Sequence, residues 1–178
     1  MENLIQTINS LSNFDLNTPL NFNLPASFLT ASAEETFFLG FQIANLLEKG
    51  GIAALNGVLG AGKTVLAKGI GKGLGVKEEI TSPTYTIVSE YEGVLSHSGP
   101  VSVYHIDAYR LDGNGDFSAM GGEEIVFGKG ISLIEWGEKI PSFITGEALK
   151  IDIEITKDEK RFIRVYKANN PPGQEGEK

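Results

Sequence analysis

The chain has no cysteine among its 178 residues, which excludes disulfides and thiolate metal sites. Cationic side chains are scarce: 15 Lys and Arg stand against 23 Asp and Glu, for a net charge of −8. Nucleic-acid affinity rests chiefly on neutralising phosphates with Lys and Arg, so the isolated chain is not expected to bind RNA or DNA strongly. No basic run supplies a local exception. No apolar run approaches the roughly 20 residues of a membrane span, so no membrane partner is expected. The start, Met1-Glu-Asn-Leu-Ile5, lacks the basic flank and apolar core of a secretory signal. These absences fit a cytoplasmic protein. The length suits one domain with a single sizeable core.

Glycine, by contrast, is plentiful, and its most informative use is Gly57-Val-Leu-Gly-Ala-Gly-Lys63-Thr64. The stretch matches the phosphate-loop pattern G-x-x-x-x-G-K-[ST] at every fixed position. Upstream, Gly51–Asn56 is a short apolar run that reads as a buried strand. Downstream, Val65 to Leu74 can form a helix, with Leu66, Ile70 and Leu74 on one face. Between them, Gly57, Leu59, Gly60, Ala61, Gly62 and Val65 can wrap backbone N–H groups around phosphate oxygens at a positive helix terminus. Lys63 then neutralises the terminal phosphates, and the Thr64 hydroxyl ligates Mg²⁺.

The remaining pattern predicts a P-loop NTPase-like α/β domain of three layers, with a mixed parallel and antiparallel central sheet. Residues 1–30 read as an N-terminal extension with a short strand or two. Residues 31–168 read as the P-loop domain, and 169–178 as a disordered tail, clearest in Pro171–Lys178. Ser32 and Glu35 have capping-box spacing ahead of a helix to about Lys49, with Phe37, Phe41, Ala44 and Leu47 on one face. Strands are expected at Thr84–Tyr91 and Val101–Asp107, paired as a hairpin around a turn region at Gly93–Pro100. Asp112–Gly122 reads as a loop, with a short helix around Gly122–Phe127. Ile131–Glu135 has the near-continuous apolar character of a strand covered on both faces. Leu149–Thr156 and Arg161–Tyr166 alternate as a hairpin around Lys157–Lys160.

A phosphate loop binds nucleotide, but hydrolysis needs a further acid for Mg²⁺ and a group to orient the attacking oxygen. Two carboxylates stand at strand ends. Glu135 closes the Ile131–Ile134 run, as a Walker B acid does, and Asp107 closes Val-Tyr-His-Ile106. Position alone leaves alternatives: Asp107 can cap the next turn, and Glu135 can pair with a lysine. Trp136, the only tryptophan, follows Glu135 and suits either a half-buried core position or the site. Arg110, one of three arginines, can face phosphate or an acidic neighbour. His105 reads as structural rather than as a metal ligand. Ser82-Pro-Thr84-Tyr85 occupies a loop where a nucleotide-sensing switch or a simple Ser-Pro turn fits.

In order along the chain, Leu59-Gly-Ala-Gly-Lys-Thr64, Thr81-Ser-Pro-Thr-Tyr-Thr86, His105-Ile-Asp-Ala-Tyr-Arg110 and Ile134-Glu-Trp136 resemble the TsaE (YjeE) family of small bacterial P-loop ATPases. The resemblance runs from about Thr30 to Ile155. It implies a Mg²⁺-dependent ATPase in tRNA N6-threonylcarbamoyladenosine synthesis at position 37, working with TsaB and TsaD, weak alone and stimulated by partners. ATP and Mg²⁺ are the implied cofactors, and tRNA is met indirectly, through the complex. By motif, Lys63 and Thr64 keep their phosphate and Mg²⁺ roles, and Asp107 and Glu135 become the essential acidic pair. Thr84 and Trp136 become nucleotide neighbours. Which carboxylate ligates Mg²⁺ and which orients water stays open. Val58 replaces an acid usual in the family.

A small-molecule or nucleotide kinase is the main rival. Such enzymes usually clamp a second phosphorylated substrate with arginines, and here only Arg110, Arg161 and Arg164 exist, the last two on an apparent strand. No Asn-Lys-x-Asp guanine motif favours a GTPase. A nucleotide-dependent adaptor overlaps the family reading.

Overall fold

The structure, a computed structural model, describes residues 5–7, 20, 23–81 and 86–171. Its strands are β1 (Ile5–Thr7), β2 (Ala26–Thr30), β3 (Ile52–Asn56), β4 (Val88–Leu95), β5 (Gly99–Asp107), β6 (Ile131–Glu135), β7 (Leu149–Ile155) and β8 (Arg161–Lys167). The helices are α1 (Ala33–Ile43), α2 (Lys63–Gly73), α3 (Asn114–Ala119) and α4 (Gly122–Val126). All strands join one sheet in the order β1-β2-β8-β7-β3-β6-β5-β4. The central four, β7, β3, β6 and β5, are parallel. Antiparallel pairs flank them on both sides, β7–β8–β2 and β5–β4. The expected mixed sheet is what forms.

Burial explains the arrangement. Every residue of β6, and Ile52–Leu55 of β3, is buried, as central strands covered on both faces require. One face packs Leu39 and Ile43 of α1 and Leu66, Ile70 and Leu74 of α2 onto Leu55, Leu133 and Ile151. The other face buries Ile106 and Ile134 under Phe117, Val126, Ile140 and Phe143. β2, within the segment read as an extension, adds Phe28 to the first core and pairs with β8.

α1 and α2 run parallel and touch backbone to backbone. A Cβ on Gly40 would lie 2.3 Å from the Leu66 carbonyl oxygen, and one on Gly69 would lie 2.0 Å from that of Phe37. Glycine inside a helix costs roughly 0.5–1 kcal/mol relative to alanine. The close contact offsets that cost. It also shifts the buried face of α1 to Phe38, Leu39 and Ile43, leaving Phe37 and Phe41 half-buried beside the contact. The helix ends at Ile43 and tightens into a 3-10 turn, Ala44–Leu46, instead of running to Lys49. At its start the Ser32 hydroxyl accepts from the Glu35 N–H at 3.2 Å, as expected. Glu35 returns the bond to the Ala31 N–H at 2.7 Å, one residue before the cap.

The β4–β5 hairpin is longer than its sequence suggests, because Gly93 stays in the strand and only Ser96–Ser98 turns. The reason is tertiary. A Cβ on Gly93 would sit 2.8 Å from the Leu74 carbonyl, which instead accepts the Val94 N–H at 2.8 Å. β4 begins at Val88, not Thr84; Ser82–Tyr85 lie outside the described residues. Asp112–Gly122, read as a loop, contains α3, held by Phe117 edge-to-face on Phe143 at 4.8 Å. Burying that ring overrides the weak local helix propensity of a Gly-rich stretch. The tail assigned to disorder is described only to Pro171, and 172–178 lie outside the described residues.

Candidate functional site

The phosphate loop joins β3 to α2 at the C-terminal end of the parallel strands. Gly57, Gly60 and Gly62 have φ of 144°, 78° and 108°, a region that other L-residues rarely adopt. Gly62 is the N-cap of α2, and no side chain caps that terminus among the described residues. Orphan N–H groups at an uncapped, positively polarised helix start are suited to an anion.

A cavity of about 330 Å³ opens over the loop. Leu59, Gly60, Gly62, Lys63, Thr64 and Val65 form one wall, and Asp107, Tyr109, Glu135 and Trp136 form the other. Six loop residues, Asp107, Glu135 and Trp136 therefore share one space, which Gly57, Ala61, His105 and Arg110 do not line. Gly57 contributes its carbonyl to Lys63 from below, and Ala61 is wholly buried under the loop. Thr84 lies outside the described residues. A larger cleft, about 510 Å³, opens by the far end of α2 near Lys77 and Glu92, away from every candidate.

Lys63 is almost completely buried, with 5% of its surface exposed. Its ammonium donates to the carbonyls of Gly57 (2.7 Å) and Val58 (3.0 Å) and sits 3.7 Å from the centre of the Trp136 ring. Burial pulls its pKa below the usual lysine value, against the opposing charges of Glu135, Glu138 and Asp107. The backbone of Trp136 is left-handed, φ 61° and ψ 41°. That conformation costs a non-glycine residue about 1–2 kcal/mol. It turns the chain out of β6 while the Trp136 N–H still bonds the Leu55 carbonyl at 2.9 Å. The indole is thereby placed over Lys63 and against Tyr109, ring centres 5.0 Å apart. The side chain of Val58 is exposed.

The two carboxylates are register partners on adjacent strands, β5 and β6. Asp107 caps the following turn: its Oδ1 accepts the Tyr109 N–H at 3.1 Å. Among the described residues no lysine forms a salt bridge with Glu135. Its Oε2 accepts from the Thr64 hydroxyl at 3.0 Å, and its Oε1 lies 2.9 Å from Nε2 of His105. A threonine hydroxyl and a carboxylate are hard oxygen donors, the ligand type Mg²⁺ prefers. Among the described residues no group of three or more His, Asp or Glu is placed to hold a metal. Mg²⁺ needs none when one or two carboxylates and substrate phosphates complete its shell. The residues present fit that ion.

Sequence reasoning passed over two residues at the site. Arg161, at the start of β8, donates from Nε to the Ala61 carbonyl at 3.3 Å. It faces a second cavity of about 180 Å³, formed with Ser32, Thr36 and Val65, across the loop from the first. Only the sheet order brings β8 there. His105 carried a structural reading, and its contact with Glu135 depends equally on the pairing of β5 with β6. Arg110, the arginine weighed for phosphate, is exposed and does not line the main cavity.

A parallel sheet core, a glycine loop feeding a helix N-terminus and a buried acid ending the neighbouring strand define a P-loop NTPase-like α/β domain. The family model described as threonylcarbamoyl adenosine biosynthesis protein TsaE matches residues 30–163. The tRNA threonylcarbamoyladenosine biosynthesis protein TsaE of Treponema pallidum (strain Nichols) is 40% identical over 137 residues, 77% of this chain and 97% of that protein. Its namesake from Bacillus subtilis (strain 168) is 34% identical over 141 residues, 79% of this chain and 85% of that one. The crystal structure of Bacillus subtilis YdiB superposes with a TM-score of 0.62 at 33% identity, covering 80% of this chain and 86% of the other. The chain belongs to the TsaE family. Among the described residues no helix is long and apolar enough to cross a membrane.

Proposed function

We propose that the chain binds and hydrolyses ATP in the cytoplasm to support N6-threonylcarbamoyladenosine formation at position 37 of tRNA, acting on a TsaB–TsaD complex. The observation that carries this reading is the Thr64–Glu135 hydrogen bond at the floor of the loop cavity. It joins the loop hydroxyl to a buried carboxylate, the pair expected to share Mg²⁺ in P-loop enzymes. Thr64 and Glu135 would hold the ion, which would supply positive charge to offset the charge developing on the phosphate oxygens. On this reading Glu135 takes the metal and Asp107 the water.

The backbone N–H groups at Gly62–Thr64 cradle the phosphates, and Lys63 supplies the cation for the terminal ones. Asp107, half-buried on the facing wall, orients the attacking water and takes up its proton at a carboxylate oxygen as the bond to ADP breaks. The cavity between Ser32, Thr36 and Arg161 accepts the nucleoside end. With a net charge of −8, the chain leaves tRNA to its partners.

The test is an ATPase and tRNA-modification assay with Mg²⁺, with and without TsaB and TsaD. Slow hydrolysis alone and faster hydrolysis with the pair are expected, and Lys63→Ala should abolish nucleotide binding or turnover without unfolding the domain. No response to the pair, together with rapid phosphorylation of a small metabolite, would replace this reading with a kinase.

A further inference from the structure

His105 is wholly buried in β5, on the same face of the sheet as Asp107 and Glu135, and the steps above do not use it. Val103 beside it on β5 and Leu133 opposite it on β6 are apolar and wholly buried, while Ser89 stands opposite it on β4. An aliphatic side chain would fill such a place without the cost of desolvating an imidazole. Both ring nitrogens are nevertheless engaged. Nδ1 lies 3.2 Å from the Thr81 carbonyl, and Nε2 lies 2.9 Å from Oε1 of Glu135.

The chemistry of the partners fixes most of the hydrogens. A carbonyl oxygen only accepts, so Nδ1 carries a hydrogen directed at Thr81. Nε2 and Oε1 form the second hydrogen bond of the ring. Since Oε2 of Glu135 already accepts from Thr64, both carboxylate oxygens are spoken for and the group cannot rotate. From this geometry we infer that His105 is a positioning residue: it clamps Glu135 Oε1 so that Oε2 stays at the Thr64 hydroxyl, and it anchors that clamp to the Thr81 backbone. The inference rests on the proposed metal role of Glu135 and names the group that sets its orientation.

Partners that orient a metal-binding carboxylate are typically worth about 10–100-fold in metal affinity or activity. Two near-isosteric replacements separate the two ends of the ring. His105→Gln keeps an amide donor near the Nε2 position, toward Glu135, and His105→Asn keeps one near Nδ1, toward Thr81. Trp136, the single tryptophan, lies against Lys63 and reports nucleotide binding by its fluorescence. ADP is titrated into each protein with Mg²⁺ and with EDTA, and partner-stimulated ATP hydrolysis is measured alongside.

The expected result is unchanged ADP affinity in EDTA for both variants. In His105→Asn the tightening by Mg²⁺ and the turnover should fall about 10–100-fold, and His105→Gln should recover most of that loss. Equal behaviour of the two variants, or full retention of the Mg²⁺ effect in His105→Asn, would overturn the inference. An inactive wild type that still shows the Asn–Gln split in ADP binding would instead count against the ATPase reading alone.

Discussion

Asp107 and Glu135 end neighbouring parallel strands and face each other in register, yet their surroundings differ. Glu135 is 3% exposed, with one oxygen on the loop threonine and the other on a buried histidine. Asp107 is half-buried and spends one oxygen on the backbone of the next turn. The difference follows from strand position. β6 lies between β3 and β5 and is covered on both faces, whereas β5 is followed only by the hairpin strand β4, whose ladder begins at Val88 opposite Ile106. A carboxylate at the end of a central strand becomes part of the floor; one nearer the edge keeps contact with water. The roles proposed above, a metal for Glu135 and a water for Asp107, rest on that contrast.

The strongest way to break the contrast is Glu135→Ala, for which hydrolysis should fall by about 10³-fold while ATP still binds. Tryptophan fluorescence and phosphate release measure both. Asp107→Asn should lose less, about 10²-fold, with the Mg²⁺ dependence of binding intact. If instead Asp107→Asn abolished the Mg²⁺ effect and Glu135→Ala did not, the two roles would have to be exchanged. Stability gives the finest distinction. Glu135→Ala strands a buried imidazole and should cost about 1–3 kcal/mol in urea unfolding. Asp107→Ala loses the cap on the Tyr109 N–H and should cost about 0.5–1 kcal/mol. Equal losses would show that burial does not separate the pair.

Much of this site was legible along the chain because its signals are local. The loop pattern, the apolar run of β6 closing on Glu135 and the stripe of Leu66, Ile70 and Leu74 each occupy one short window. Their observed bounds differ little from those expected. What stayed hidden depends on pairing between distant segments. Arg161 reaches the loop because β7 docks beside β3 and carries β8 with it, and no pattern near residue 161 announces that. His105 looked like a core residue, and its link to Glu135 needed the β5–β6 register. α3 escaped notice for a related reason: its stability comes from Phe117 meeting Phe143, not from its own sequence. Gly93 looked like a turn until the end of α2 was seen against it.

The glycine contacts between α1 and α2 carry one more consequence. Because Gly40 and Gly69 let the helices meet at backbone distance, they act as a spacer gauge for everything at the helix starts. The cavity bounded by Ser32 and Thr36 on α1 and by Val65 on α2 has its width set several residues away, by hydrogen atoms in place of methyl groups. The tolerance of that cavity is thus machined into the helix joint, at positions that do not line it.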